Sequence, residues 1–278
     1  MSAANKTTFE VTTDDAGLRL DQIIPRHIAG LSRRKARAVI DLGGVFVDRA
    51  RVKVAGRQLR AGQVVEVVIG GALDHADAPK LEPAIVFVDD HIIIADKPAG
   101  LVTAPTPESD RGDLLDQLKR RFGEVYLVHR LDQPTSGLLV FARTRDANKL
   151  LGDAFKVHDV EREYRAVVVG DVAQDSFTID QPIDGRRAVT HISVIERRGA
   201  STAIAVKLET GRTHQIRIHL AGIGHPVLGD RQHGGELERH FEPRPSRLML
   251  HARVLGFVHP HTKQPVRFEV NAPGTSTP

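Results

Sequence analysis

From residue 84 onward the chain holds more strand-like runs than helices, and the two kinds do not alternate. "IVFVDDHIIIADKP" reads as a hairpin turning at Asp89-Asp90. "GLLVFA", "YRAVVVG", "AIAVKLE", "RLMLHARVLGFVHP" and "VRFEVNAP" read as strands. Helical spacing is confined to three stretches. "DLLDQLKRRFG" has Asp113 as candidate cap and Leu114, Leu115, Leu118 and Phe122 on one side; "TRDANKLLGDAFK" starts near Thr144; "THQIRIHLAGIG" spaces Ile216, Leu220 and Ile223. A doubly wound parallel sheet requires regular alternation, so this order predicts an α+β fold: a mainly antiparallel, mixed-sheet large domain with flanking helices.

Residues 10–70 have a different texture and predict a small α+β unit. "LSRRKARAVIDLGG" is a helix signal, with Ser32 as N-cap, Ala36, Val39 and Ile40 at helical spacing, and Gly43-Gly44 as the stop. "VFVD" and "QVVEVVIG" follow as short strands. "GALDHADAPKLEP", polar and Ala-rich with two prolines, reads as a linker. The expected division is therefore 1–70 small domain, 71–83 linker, 84–272 large domain and 273–278 a frayed tail.

Charge supports that division. Residues 1–70 carry 12 Lys/Arg against 7 Asp/Glu, whereas 71–278 carry 27 against 28. The excess is densest in 31–60, and Arg33, Arg34 and Arg37 lie on faces of the expected helix away from its apolar stripe. A short basic segment on a balanced chain fits a polyanion-binding module as well as it fits a solvated helix face.

Several classes of function are disfavoured. The chain has no cysteine, which excludes disulfides and thiolate metal sites. No Gly-x-Gly-x-x-Gly follows a strand, and there is no Walker-type loop, no Gly-x-Ser-x-Gly and no His-Glu-x-x-His. His214 and His219 stand five apart, a poor spacing for a shared helix face, so a zinc hydrolase built from the 14 histidines is weakly signalled. The expectation is a reaction without metal or cofactor. The first residues lack a signal-peptide pattern and no apolar run approaches the roughly 18 residues of a membrane helix, so a soluble, cytoplasmic protein that does not engage membranes is expected, with a monomer as the default.

Two polar clusters remain. "HRLDQPTSGLLVFA" (129–142) sets Asp132 between an arginine and a tight turn that enters an apolar strand. An ordinary reading makes Arg130 and Asp132 a surface ion pair of little value. "LETGRTHQIRIHLAGIGHPVLGD" (208–230) weakens that reading, because Arg212, His214, Gln215, Arg217 and His219 crowd a helix start beyond what capping needs. Two loop-borne clusters on one scaffold look like the walls of a site.

"HRLDQPTSGLLVFA" resembles the signature of the RluA-type RNA pseudouridine synthases. "DKPAGLVTAP" (96–105), "VEREYRAVVVG" (160–170) and the 208–230 segment resemble further motifs of that family, in the right order. "RLDQIIPRHIAGLSRRKARAVIDLGGVFVD" resembles the small RNA-binding domain of a small-subunit ribosomal protein and of bacterial tyrosyl-tRNA synthetases. One departure is His233, in "GDRQHGG", where many members of the family carry Tyr.

The resemblance implies isomerisation of uridine in RNA to its C-glycoside. No atom leaves and no electron is exchanged. The uridine must be everted from its stack, at a cost of a few kcal/mol. A nucleophile holds one fragment while the base turns, and a base then removes a proton from the ring carbon. The resemblance assigns Asp132 the catalytic role, Arg217 as the guanidinium that keeps it ionised, and Tyr164 as the ring that stacks on uracil and shares in proton transfer. Whether Asp132 attacks sugar or base, or assists a glycal route, stays open. Arg130 is expected to help evert the uridine. His129, Arg212, His214 and Gln215 are counted with the substrate-facing residues, though His129 also reads as a structural hydrogen-bonding group, and the other three as pocket lining or helix cap. Arg33, Arg34, Lys35 and Arg37 are expected at the RNA backbone. The RNA implied is large-subunit ribosomal RNA, with transfer RNA, or a non-catalytic RNA-binding role on the same scaffold, as alternatives.

Overall fold

A computed structural model describes residues 5–41, 43–69, 81–104 and 113–273. They divide into two compact units, one made of residues up to 69 and one of residues from 81. Except for 81–83 the expected linker lies outside the described residues, as does the expected tail after Pro273.

The first unit comprises β1 (Asn5–Glu10), α1 (Leu20–His27), α2 (Arg33–Asp41), β2 (Val45–Val47), β3 (Ala50–Arg51) and β4 (Val64–Ile69). The strands form an antiparallel sheet in the order β1-β4-β2-β3. Both helices bury their apolar stripes, among them Leu20, Ile23, Ile24, Val39 and Ile40, against Val45, Val65 and Val67. Ser32 Oγ accepts from the Lys35 amide at 3.3 Å, as its capping position predicts. The unit starts earlier than residue 10, because β1 pairs along the whole of β4.

The arginines of α2 do not all face outward. Asp21, fully buried on α1, accepts from Arg37 Nε at 2.7 Å, and from Arg33 Nη2 and Arg19 Nε at 3.3 Å each. Burial alone would push this carboxyl up, but the three guanidiniums hold it below the usual carboxylate range. Nearby, bonds from His27 and Arg26 hold Asp15 down at about 2. Arg34 and Lys35 stay exposed.

The second unit comprises β5 (Ala84–Val88), β6 (Ile92–Lys97), α3 (Leu114–Phe122), β7 (Tyr126–Leu127), β8 (Ser136–Ala142), α4 (Arg145–Lys156), β9 (Glu161–Val169), β10 (Ser176–Asp180), β11 (Val189–Arg197), β12 (Ser201–Leu208), α5 (Gln215–Gly222), α6 (Gly235–Arg239), β13 (Leu250–Val258) and β14 (Pro265–Glu269). One sheet runs β10-β11-β12-β9-β13-β8-β6-β5, with β14 beside β13 and β7 beside β8. Every pair is antiparallel except β13 with β8. This is the mixed, mainly antiparallel sheet that the order of elements predicts.

Both faces of the sheet are covered. Ile93, Leu139 and Phe141 pack with Leu118 of α3 and Leu220 of α5, while Ile92, Leu138 and Val140 pack with Leu151 of α4. All seven residues of β8 are therefore buried, which is why its sequence is an unbroken small and apolar run. Each such Leu or Ile contributes about 1.5–3 kcal/mol relative to exposure. Asp113 and Thr144 cap α3 and α4 through the amides of Asp116 and Ala147. No helix among the described residues is long and apolar enough to cross a membrane.

Candidate active site

Asp132 lies on the turn that enters β8, and the turn is held on three sides. Lys97, wholly buried at the end of β6, donates to the carbonyls of Leu101 at 2.7 Å and of Pro98 and Gln133 at 3.1 Å. Three carbonyls engage all three protons of an ammonium. Burial nevertheless pushes Lys97 down to about 7, and Asp132 and Asp96 pull it back. Thr103 Oγ1 donates to Leu131 O at 2.8 Å and accepts from Leu131 N at 3.3 Å. Gly100 N donates to Gln133 O at 2.8 Å. On the far side Ser136 Oγ meets His251 Nδ1 at 2.9 Å, where β8 and β13 run parallel. Gly137 makes that approach possible: it has φ +115, and a Cβ there would come within 2.3 Å of Ala252 O.

The second cluster sits at the start of α5. Gln215, expected among the substrate-facing residues, is turned inward instead. Its Oε1 accepts from Thr210 Oγ1 at 2.8 Å and Arg212 N at 3.0 Å, and its Nε2 donates to Val189 O and Thr190 Oγ1. It staples the loop before α5 to β11. His219, one turn on, is likewise buried, against Thr190 and Gln181 O. Arg217 points the other way. Its Nε and Nη2 donate to Asp230 Oδ2 and Oδ1 at 2.7 and 2.8 Å, and its Nη1 donates to Asp132 Oδ2 at 3.2 Å. Burial would lower Arg217, but Asp230 and Asp132 together hold it above its ordinary value. Asp230 is itself fixed by the amides of Gln232 and His233, both at 3.1 Å. Gly229 allows that loop, because a Cβ at its φ of +78 would strike Arg247 O at 2.1 Å.

The structure thus brings together Asp132, Arg217 and His214, whose Nε2 lies 3.7 Å from Asp132 Oδ2. Tyr164 is buried on β9 within reach of the same charge: burial pushes its phenol up, Arg162 opposes this and the Asp132 carboxylate adds to it. Arg130 is exposed on the turn. His129 stacks on Phe155 at 4.3 Å, and its Nε2 accepts from the Val140 amide at 3.2 Å. Burial, reinforced by Arg162, keeps this imidazole neutral with a pKa near 3, as an accepting nitrogen requires. Arg212 lies along the chain, donating to Arg187 O at 2.9 Å.

Sequence reasoning gave no role to Lys97, Asp230 or Gln232, which accepts from Arg217 Nη2 at 3.2 Å. The signals available were a lysine beside Pro98 and the Gly229-Asp230 turn, neither of which names its partner. A cavity of about 530 Å3 opens between residues 158–161 and the strands at 256–258 and 265–267, and none of the predicted site residues lines it.

A family model described as RNA pseudouridylate synthase matches residues 91–222. Ribosomal large subunit pseudouridine synthase D of Nitrosomonas europaea is 36% identical over 98% of this chain and 87% of its own length. The protein of the same name from Pseudomonas aeruginosa is 35% identical over 98% of this chain and 94% of its own. A Bacillus subtilis RNA pseudouridine synthase, YlyB, is 33% identical over 97% and 95%. Among solved structures, human RNA pseudouridylate synthase domain containing 1 matches with a TM-score of 0.60 and 27% identity, covering 70% of this chain and 86% of that one. The chain belongs to the RNA pseudouridylate synthase family. It is an RNA-modifying isomerase of the RluA type, and its similarity to the synthase D proteins extends over nearly its whole length.

Proposed function

We propose that this enzyme converts particular uridines of large-subunit ribosomal RNA to pseudouridine, working as a cytoplasmic monomer without cofactor or metal, with Asp132 as the reacting carboxylate. The observation that carries this reading is the Arg217 guanidinium, clamped by Asp230 on one edge and offering Nη1–H to Asp132 on the other. A clamped cation beside a partly exposed carboxylate suits a nucleophile that must stay charged while an everted base sits against it. The similarity to ribosomal large subunit pseudouridine synthase D proteins supports the choice of RNA.

In the proposed reaction the N1–C1′ bond of uridine breaks, the base turns, and C5 bonds to C1′. The proton on C5 then departs and N1 regains one, so atoms and charge balance. Asp132 supports the separated fragments, by attack on sugar or base or by assisting a glycal route. The Tyr164 ring stacks on the uracil. Its raised pKa keeps the phenol protonated at neutral pH, so it relays the C5 proton only by passing its own onward. Arg130 enters the space the base vacates. Arg34 and Lys35 meet phosphates, which gives affinity without sequence preference.

Carbodiimide mapping of pseudouridines in RNA from cells with and without this gene tests the reading. Sites missing from large-subunit ribosomal RNA in the deletion support it. A full set of ribosomal sites, with losses only in transfer RNA, overturns the choice of RNA.

A further inference from the structure

Arg217 is not alone beside Asp132. The oxygen it contacts, Oδ2, is also approached by Nε2 of His214, the residue before α5, whose backbone is left-handed at φ 55, ψ 21. The ring of His214 is held by a second histidine: its Nδ1 lies 2.9 Å from Nε2 of His233, with the rings 72° apart. His233 is in turn fixed by the hydrogen bond its backbone N–H donates to Asp230 Oδ1, on the carboxylate that clamps Arg217. One buried aspartate therefore organises both neighbours of Asp132.

We propose that His233 is a positioning residue for the isomerisation: by a hydrogen bond to Nδ1 it holds the His214 ring with Nε2–H turned to Asp132, which supplies a second, neutral donor to the carboxylate oxygen that Arg217 already contacts. The inference rests on the reading of Asp132 as the reacting group.

The proton count supports it. Only one proton can lie between His214 Nδ1 and His233 Nε2. A carboxylate oxygen facing His214 Nε2 favours the tautomer that carries its proton there. Nδ1 is then the acceptor, and His233 Nε2–H is the donor. At 3.7 Å the contact with Asp132 is longer than a hydrogen bond, as catalytic contacts often are before substrate is bound. The described titratable and charged groups around His214 are Asp132, Arg217, His233 and Asp230. Burial is the largest influence and holds the imidazole below its ordinary 6.5; Arg217 and His233 add to this, and the two carboxylates oppose it. His214 is accordingly neutral at neutral pH and takes up a proton only on acidification. That protonation reverses the bond to His233 and sets a second cation against Asp132.

The test uses the full chain with 15N-labelled histidine, comparing wild type with His233→Phe, which keeps a ring and removes the donor, and His233→Gln, whose amide can donate to Nδ1. In wild type His214 should be the Nε2–H tautomer at pH 7. In His233→Phe that preference should be lost and the His214 midpoint should rise towards 6.5. In the same variant kcat should fall about 10-fold, KM for RNA should change less than about twofold, and the acid limb of kcat should move up in pH. His233→Gln should recover most of kcat. An unchanged His214 midpoint with wild-type kcat in His233→Phe overturns the proposal, as does equal loss in both variants. Asp132→Asn assayed alongside separates the two readings: its residual turnover tests the carboxylate, while the His214 tautomer and midpoint report on His233 whatever that turnover is.

Discussion

Each unit of this protein contains a cluster of arginine and aspartate, and the two are built in opposite proportions. In the first unit one carboxylate, Asp21, draws three guanidiniums, and its side chain is 0% exposed. In the second, one guanidinium, Arg217, serves two carboxylates: Asp230, 1% exposed and doubly bonded, and Asp132, 23% exposed and singly bonded. A carboxylate that accepts from three guanidiniums and has no solvent contact is a fastener. One that holds a single bond from a cation and keeps part of its surface in solvent suits a group that must react. The same two residue types thus suit structure or chemistry according to stoichiometry and exposure, and the two states, Asp230 and Asp132, meet at Arg217.

Substitutions can break this contrast in either unit. Asp132→Asn keeps the shape and removes the charge from the open carboxylate, so turnover should drop by more than about 10³-fold with RNA affinity retained. A tritium-release assay combined with filter binding checks this, and substantial turnover by the variant would sink the role given to Asp132. Asp21→Asn leaves three guanidiniums without their counter-charge, and urea unfolding of the first unit should show a loss of about 3 kcal/mol. A change under about 0.5 kcal/mol would mean that the fastener is not one. Arg217→Lys keeps a cation but cannot span Asp230 and Asp132 in one plane; kcat should fall about 50-fold while circular dichroism is unchanged. Equal activity for Lys would reduce the fork to a point charge. The smallest effect concerns the basic residues of α2 that Asp21 does not take. Arg34→Ala with Lys35→Ala should weaken RNA binding a few-fold and flatten its salt dependence by about one to two counterions, and an unaltered slope would place the phosphate contacts elsewhere.

Local signals made much of this fold legible. Ser32, Asp113 and Thr144 stand where their caps are made, because a cap depends only on residues three positions away. The Asp89 turn is equally local, its side chain accepting from the amides of His91 and Ile92. Elements lacking such punctuation escaped. Helix α1 starts at Arg19–Leu20 with Pro25 inside it. Strand β11 hides its alternation in "VTHISVIER", where polar residues face outward between buried Val189, Thr190 and Ile192. In the site, Asp132 and Arg217 could be singled out, but Asp230 could not, because its importance lies in a bond to a residue 13 positions away. Gln215 was ambiguous for the opposite reason: polarity at a helix start reads as pocket lining or as a cap until the loop it staples is seen.

The parallel pairing of β8 with β13 has a consequence for the birth of the enzyme. Ser136 and His251 meet across 115 residues, and Asp132 and Arg217 across 85. A polypeptide emerging from the ribosome can finish the β5–β6 hairpin, α3 and the Lys97, Thr103 and Gly100 contacts to the Asp132 turn early, yet the Ser136 side of that turn stays uncovered until β13 arrives. On the proposed reading, the site is complete only once this long-range pairing has formed.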